Sequence, residues 1–404
     1  MQKRIKEEKG ITLVALVITI IILLILAGVA LSLVIGKNGL IAKSKEGVDT
    51  YKEKAKEEQW QLEDFETGME EIDSAELEDE EEHPELKQMK LVLNITEDNK
   101  TIQLPVNRYD TDCHYNCIVN WGDNTEDNVT NDNFKNMTHT YDNTGQYKVT
   151  INGICESLDV YWNSSAKKSL IKVEQWGATG LKKIDLSSCE KLTEIATPTK
   201  NSFSSVSSFI NAFSGCNSLT SIPENLFKDC SNVTNFGNVF FGCNSLTSIP
   251  GNLFKNCSNV EFFFYVFSEC NSLTSIPGNL FKDCSNVTNF ENAFSGCNSL
   301  TSIPENLFAN CSNVTNFENV FSGCNSLTSI PENLFANCSN VTSFRCAFEQ
   351  CTNLKGKSVQ LWKEGRNGID ENSGGEGCYY KCEKLEDYKT IPEFWKREPI
   401  RGPQ

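Results

Sequence analysis

The chain has 404 residues and a formal net charge of −17, with 54 acidic residues against 37 basic ones and only three histidines. The acidity is local: thirteen Asp and Glu and no Lys or Arg fall between Leu62 and Leu86, and the folded parts are only mildly acidic. No basic stripe exists outside the first nine residues, which excludes a nucleic-acid partner.

In chain order, Lys3, Arg4, Lys6 and Lys9 precede a run without charge, residues 11–35. As a helix it reaches roughly 37 Å at about 1.5 Å per residue, enough to span a bilayer with some tilt. The basic flank predicts a cytoplasmic N-terminus and an external remainder, residues 37–404. The stretch Lys9-Gly10-Ile11-Thr12-Leu13-Val14-Ala15-Leu16-Val17 resembles a type IV prepilin signal. That resemblance implies a basic leader (1–10), cleavage after Gly10 by a prepilin peptidase, methylation of Ile11, and an apolar helix over 11–36. The family has Glu at the fifth mature position to pair with a neighbouring subunit's amine; this chain has Ala15. A tethered subunit is therefore expected ahead of a filament subunit, since a lone carboxylate in lipid is costly and a subunit that does not polymerise gains by lacking it.

Residues 37–86 read as a stalk that continues the helix and then as an acidic, self-repelling linker. From 87 to 158 short alternating segments at Leu91-Val92-Leu93, Ile118-Val119-Asn120-Trp121 and Tyr147-Lys148-Val149-Thr150-Ile151 are separated by Asn, Asp and Gly turns. They predict a small antiparallel β-sandwich. The segments Asn120-Trp121-Gly122-Asp123-Asn124-Thr125 and His139-Thr140-Tyr141-Asp142-Asn143-Thr144-Gly145-Gln146-Tyr147 resemble the PKD domain, which implies a spacer or adhesion module of immunoglobulin type.

Between Cys216 and Cys351 a 27-residue unit recurs five times, with Cys216, Cys243, Cys270, Cys297, Cys324 and Cys351 in one column and Cys230, Cys257, Cys284, Cys311 and Cys338 in a second. One such unit is too small to bury its own apolar face, so units stack into a solenoid with a continuous core. Leu219 and Ile222 are expected to mark a short strand ended by Pro223, and the 233–240 segment to form the outer side. A degenerate coil through Leu170, Val173, Leu181, Ile184, Leu186, Cys189, Leu192 and Ile195 precedes the array. The repeats resemble BspA-like leucine-rich repeats of bacterial surface proteins, implying a solenoid over 159–356 that binds or adheres. The aromatic-rich tail, 357–404, reads as a cap over the last coil.

The column cysteines read as buried thiols acting as small core hydrophobes. Cys346 leaves open a pairing with Cys351, Cys378 or Cys382, or a plain thiol. Cys113-His114-Tyr115-Asn116-Cys117 has three zinc-ligand types but not the spacing of a zinc knuckle, and a disulfide from Cys113 or Cys117 to Cys155 is the expectation there. No nucleophile elbow, phosphate loop, metalloprotease helix or visible triad occurs, so neither an enzyme nor a cofactor is expected.

Comparison of the repeats gives the candidate site. Columns held by Asn235, Gly237 and Asn238 in one coil become Phe262, Phe264 and Tyr265 in the next, and Ser214's column becomes Phe241. Aromatic residues replacing polar ones in one coil of a uniform array suggest either an exposed patch for a protein or glycan ligand or a local repacking that buries them. The expectation is thus a non-enzymatic, membrane-tethered surface protein. A minor pilin carrying the solenoid on a filament is the rival reading, and a surface hydrolase a distant third.

Overall fold

Alternating burial sets up the first part of the molecule. In the strand β1, Met89–Ile95, residues Leu91, Leu93 and Ile95 point inward, and in β3, Tyr115–Asn120, Tyr115, Cys117 and Val119 do. The computed structural model describes residues 84–401 except 108, 110, 229 and 364–367. Gly10, Ile11, the 11–36 helix and nearly all of the 37–86 stalk lie outside the described residues. Among the described residues no helix is long and apolar enough to cross a membrane.

The remaining strands are β2, Thr101–Gln103; β4, Glu126–Thr130; β5, Thr138–Thr140; β6, Gly145–Cys155; β7, Ser157–Asp159; β8, Leu170–Gln175; β9, Lys183–Asp185; and β10, Glu194–Ile195. One sheet runs β10-β8-β1-β6-β3-β4, and β2–β5 and β7–β9 form separate pairs. A short helix, α1, Ser164–Ser169, is capped by the Asn163 side chain on the Ala166 amide. The antiparallel β1–β8 pairing and the parallel β8–β10 pairing carry the sheet into the coil that precedes the repeats. Trp121 is buried just past β3, stacks on His139 at 4.8 Å and accepts a hydrogen bond at its carbonyl from the Tyr141 hydroxyl. His139 Nε2 lies 2.7 Å from Asp123, whose carboxyl is pulled up by burial but held below its usual range by Thr125 and His139.

Each repeat buries three phenylalanines. Phe209, Phe236, Phe263, Phe290, Phe317 and Phe344 stack at 5.5–5.7 Å between successive centroids. A second column runs from Phe213 through Phe240, Phe267, Phe294, Phe321 and Phe348 to Tyr379, and a third from Phe227 to Phe335. Truncating one such ring costs about 3–5 kcal/mol.

The segment expected to carry a strand does not. Leu219 and Ile222 are buried, but their stretch has no strand, and coil-to-coil backbone bonding there is sparse, as in Thr247 N to Thr220 O at 3.4 Å and Lys355 N to Thr328 O at 2.9 Å. The ladder forms instead on the segment expected to be the outer side. There Phe236, Asn238, Phe240 and Gly242 each donate an amide to the next coil, at 3.0, 2.9, 3.0 and 2.8 Å. Parallel bridges join Ser208, Asn235, Phe262, Asn289, Asn316 and Ser343 in series. The cause is local: Pro223 and its counterparts have no N–H to give, whereas left-handed residues at Asn238 (φ 55°) and Gly242 (φ 67°) turn the chain tightly enough to aim alternate amides along the stack.

After the last regular coil the ladder continues into residues 374–380, where Phe344, Cys346, Phe348 and Gln350 donate to Gly374, Glu376, Cys378 and Tyr380. The helix α2, Glu393–Lys396, lays Trp395 over Gly375, where a Cβ would fall 2.3 Å from the indole.

All eighteen cysteines are buried thiols, which corrects the disulfide expected between Cys155 and Cys113 or Cys117; Cys117 and Cys155 meet as hydrogen-bonded thiols instead. Their hydrogens have other uses: Cys155 donates to Ser157 O at 3.4 Å and Cys113 to Glu156 O at 3.7 Å. Column thiols do the same across coils, as Cys243 to Phe213 O and Cys270 to Phe240 O, both 3.2 Å. Cys346 is a plain thiol over Glu376 O, its pKa pushed up to about 12 by burial.

Candidate functional site

The ladder segment repeats two left-handed positions per coil. One is Asn211, Asn238, Asn292 and Asn319, and the other Gly215, Gly242, Gly296 and Gly323. Asn and Gly recur there because they enter this backbone region at least cost. Two coils break the rule at both positions: Tyr265 (φ 55°) with Glu269 (φ 60°), and Cys346 (φ 55°) with Gln350 (φ 61°). Each such residue costs about 1–2 kcal/mol, so something other than local preference keeps it there.

At the second of these coils the chain's own C-terminal segment lies on the face. Arg345 contacts Glu318 at 2.7 Å, Glu376 at 3.3 Å and the Ile400 carbonyl at 2.7 Å. Arg397 reaches Glu376 and Arg401 reaches Glu349, both at 2.7 Å. Glu376 is pulled up by burial yet held below its usual range by Arg397 and Arg345.

At the first coil stand three of the four residues singled out from the sequence, with Phe241 on the coil before it. Phe241, Phe262, Phe264 and Tyr265 are each half-buried, so they are neither core nor a freely exposed patch. Phe241 meets Tyr265 edge-on at 6.2 Å, and Phe262 lies 6.4 Å from Phe264. The Phe264 ring covers the backbone of Gly237, where a Cβ would fall 2.2 Å from Cζ. Ile210, 41% exposed, holds the same column one coil before Gly237.

That column reads Ile210, Gly237, Phe264, Glu291, Glu318, Arg345 and so passes from apolar to acidic to basic. Glu291 follows the aromatic coil directly, and its carbonyl accepts the Tyr265 amide at 2.8 Å. Its carboxylate is held by Asn292 at 3.4 Å and Asn316 at 3.3 Å, and no cation pairs with it among the described residues. Burial, and then the neighbouring Glu318, raise its pKa above the usual carboxylate range. Burial followed by the same two carboxylates raises Tyr265. Glu291, Glu318 and Arg345 were missed in the sequence reading, although aligning the coils places all three in the Phe264 column.

A second aromatic group was also missed. Tyr109, Tyr161 and Trp162 are 67%, 50% and 61% exposed and touch edge-to-face, Trp162 at 6.1 Å from Tyr109 and 4.7 Å from Tyr161. Among the described residues no three His, Cys, Asp or Glu side chains gather as a metal site. His114 instead meets Glu156, which also binds Lys182 at 2.7 Å.

Residues 171–354 match the BspA type leucine rich repeat region, in six copies. No curated protein matches the chain. Among solved structures, one match is a chain of the Toll–Spatzle complex, a molecular hub in Drosophila development and innate immunity. It is 17% identical over 46% of this chain and 31% of that chain, with a TM-score of 0.25.

Proposed function

We propose that the chain is a non-enzymatic cell-surface protein that binds a protein or glycan ligand, in adhesion or recognition, through the ladder side of a leucine-rich repeat solenoid. The observation that carries this reading is the coil from Phe262 to Glu269. Its polar columns turn aromatic, and both of its left-handed positions hold residues that resist that conformation. Selection for stability alone would restore Asn and Gly there, as in the neighbouring coils. The BspA type repeats support a binding scaffold.

In this reading the 11–36 helix tethers the protein to the cell membrane after prepilin peptidase cuts between Gly10 and Ile11. A PKD-like sandwich then spaces the solenoid from the surface, and the aromatic tail caps it. The test is a screen of the full-length chain, in mild detergent, against arrayed peptides and glycans, beside a Phe264→Gln/Tyr265→Asn variant. Ligands retained by the intact face and lost by the variant support the reading. Ligands held equally by both place the binding surface elsewhere.

A further inference from the structure

The acidic end of the ladder face is already occupied by arginines. Arg345 lies on Glu318 within the column, and the C-terminal segment brings Arg397 and Arg401 onto Glu376 and Glu349. One coil back from Glu318 the same column offers Glu291, which has no cation on it among the described residues, beside the half-buried rings of Phe264 and Tyr265. A guanidinium is planar and weakly hydrated, stacks on an aromatic face and forks onto a carboxylate at the same time.

We infer that Phe264, Tyr265 and Glu291 form a seat for an arginine side chain carried on an extended segment of a partner protein. The inference rests on the proposed ligand face and narrows its ligand class. The molecule supplies the precedent, because its own residues 397–401 bring arginines to the far end of the face in this way. Charge complementarity selects the occupant. Glu291 sits among amides and beside a second carboxylate, so a cation relieves both its burial and its repulsion from Glu318. A neutral glycan would leave that carboxylate as it is.

The test uses the full-length chain and three synthetic hexapeptides that alternate serine with arginine, lysine or citrulline, titrated calorimetrically. The arginine peptide should bind at least tenfold more tightly than its citrulline counterpart. Glu291→Gln should lose about tenfold, whereas Glu224→Gln, an exposed acid outside the face, should lose nothing, and unfolding midpoints confirm that both variants fold. Affinity should also fall as pH is lowered through the raised pKa of Glu291. Equal binding by Glu291→Gln and the intact chain overturns the arginine seat. If Phe264→Gln/Tyr265→Asn then still removes an array ligand, the proposed face stands with a different ligand class. If neither variant changes any binding, both readings fall.

Discussion

Gly237 offers a test of whether the aromatic face is built as described. Its φ lies outside the left-handed region, so Ala is acceptable to the backbone and on that ground alone should add about 0.4–1 kcal/mol through the unfolded chain. The added Cβ, however, would lie 2.2, 2.3 and 2.8 Å from Cζ, Cε2 and Cε1 of Phe264. Ordinary carbon contacts are about 3.5–4 Å, so the ring must move by more than about 1 Å. Overpacking of this kind costs about 1–3 kcal/mol, and the lower half of that range applies because a half-buried ring can swing outward. Gly237→Ala should therefore destabilise the intact chain by up to about 1.5 kcal/mol, yet stabilise a Phe264→Gln background by about 0.4–1 kcal/mol. The coupling of about 1–2 kcal/mol is read from urea denaturation of the four chains in a double-mutant cycle. Equal effects in both backgrounds would refute the placement of Phe264 over Gly237.

Other outcomes follow from the same features. Because burial and Glu318 raise the Glu291 pKa, its charged form is disfavoured in the fold, and that penalty is present above the raised value and relieved as pH falls through it. Glu291→Gln should thus match or exceed the intact chain in thermal midpoint at neutral pH, with any gain vanishing on acidification; a large loss at neutral pH would contradict this. Burial pushes Cys243, Cys257 and Cys297 up to about 12, so native protein at pH 8 should resist iodoacetamide at these positions and take it up in denaturant, as mapped by mass spectrometry. Fast native alkylation would mean that the coils open. In cells, mass spectrometry of the membrane and sheared-filament fractions should find a chain starting at methylated Ile11 in the membrane. The same chain in sheared filaments would make it a pilus subunit despite Ala15.

The stacking was legible because its signal is an exact period: three Phe columns and two Cys columns at 27-residue intervals define a core whatever its backbone path. The backbone path was less so. Leu219 and Ile222 read as strand residues, but burial of an alternating pair does not say which segment donates its amides, and that depended on the left-handed Asn238 and Gly242. Asn and Gly at fixed positions were visible as repeats, though not as conformations. The aromatic coil was legible by comparing columns, while the seating of the Phe264 ring over Gly237 was not, because a shared column does not say which way a ring leans. Arg397 and Arg401 lie in a segment without periodicity, so only the fold could bring them to Glu376 and Glu349. The Cys113 and Cys117 region misled for the opposite reason. Strand pairing sets Cys155 opposite Tyr115 and Cys117 opposite Gly153, so Cys117 and Cys155 meet only diagonally, as hydrogen-bonded thiols.

The most direct test of the central claim is a paired measurement on Phe264→Gln/Tyr265→Asn: the urea midpoint of the full-length chain, and the attachment of cells displaying it to a surface that the intact chain recognises. Losing two half-buried rings is offset by relief of about 1–2 kcal/mol at the left-handed Tyr265 position. An unchanged or slightly higher midpoint together with lost attachment is expected. A fall in unfolding free energy of about 3 kcal/mol or more, of the size seen when core rings are truncated, with attachment retained, would show that the aromatic coil is packing and that the ligand binds elsewhere.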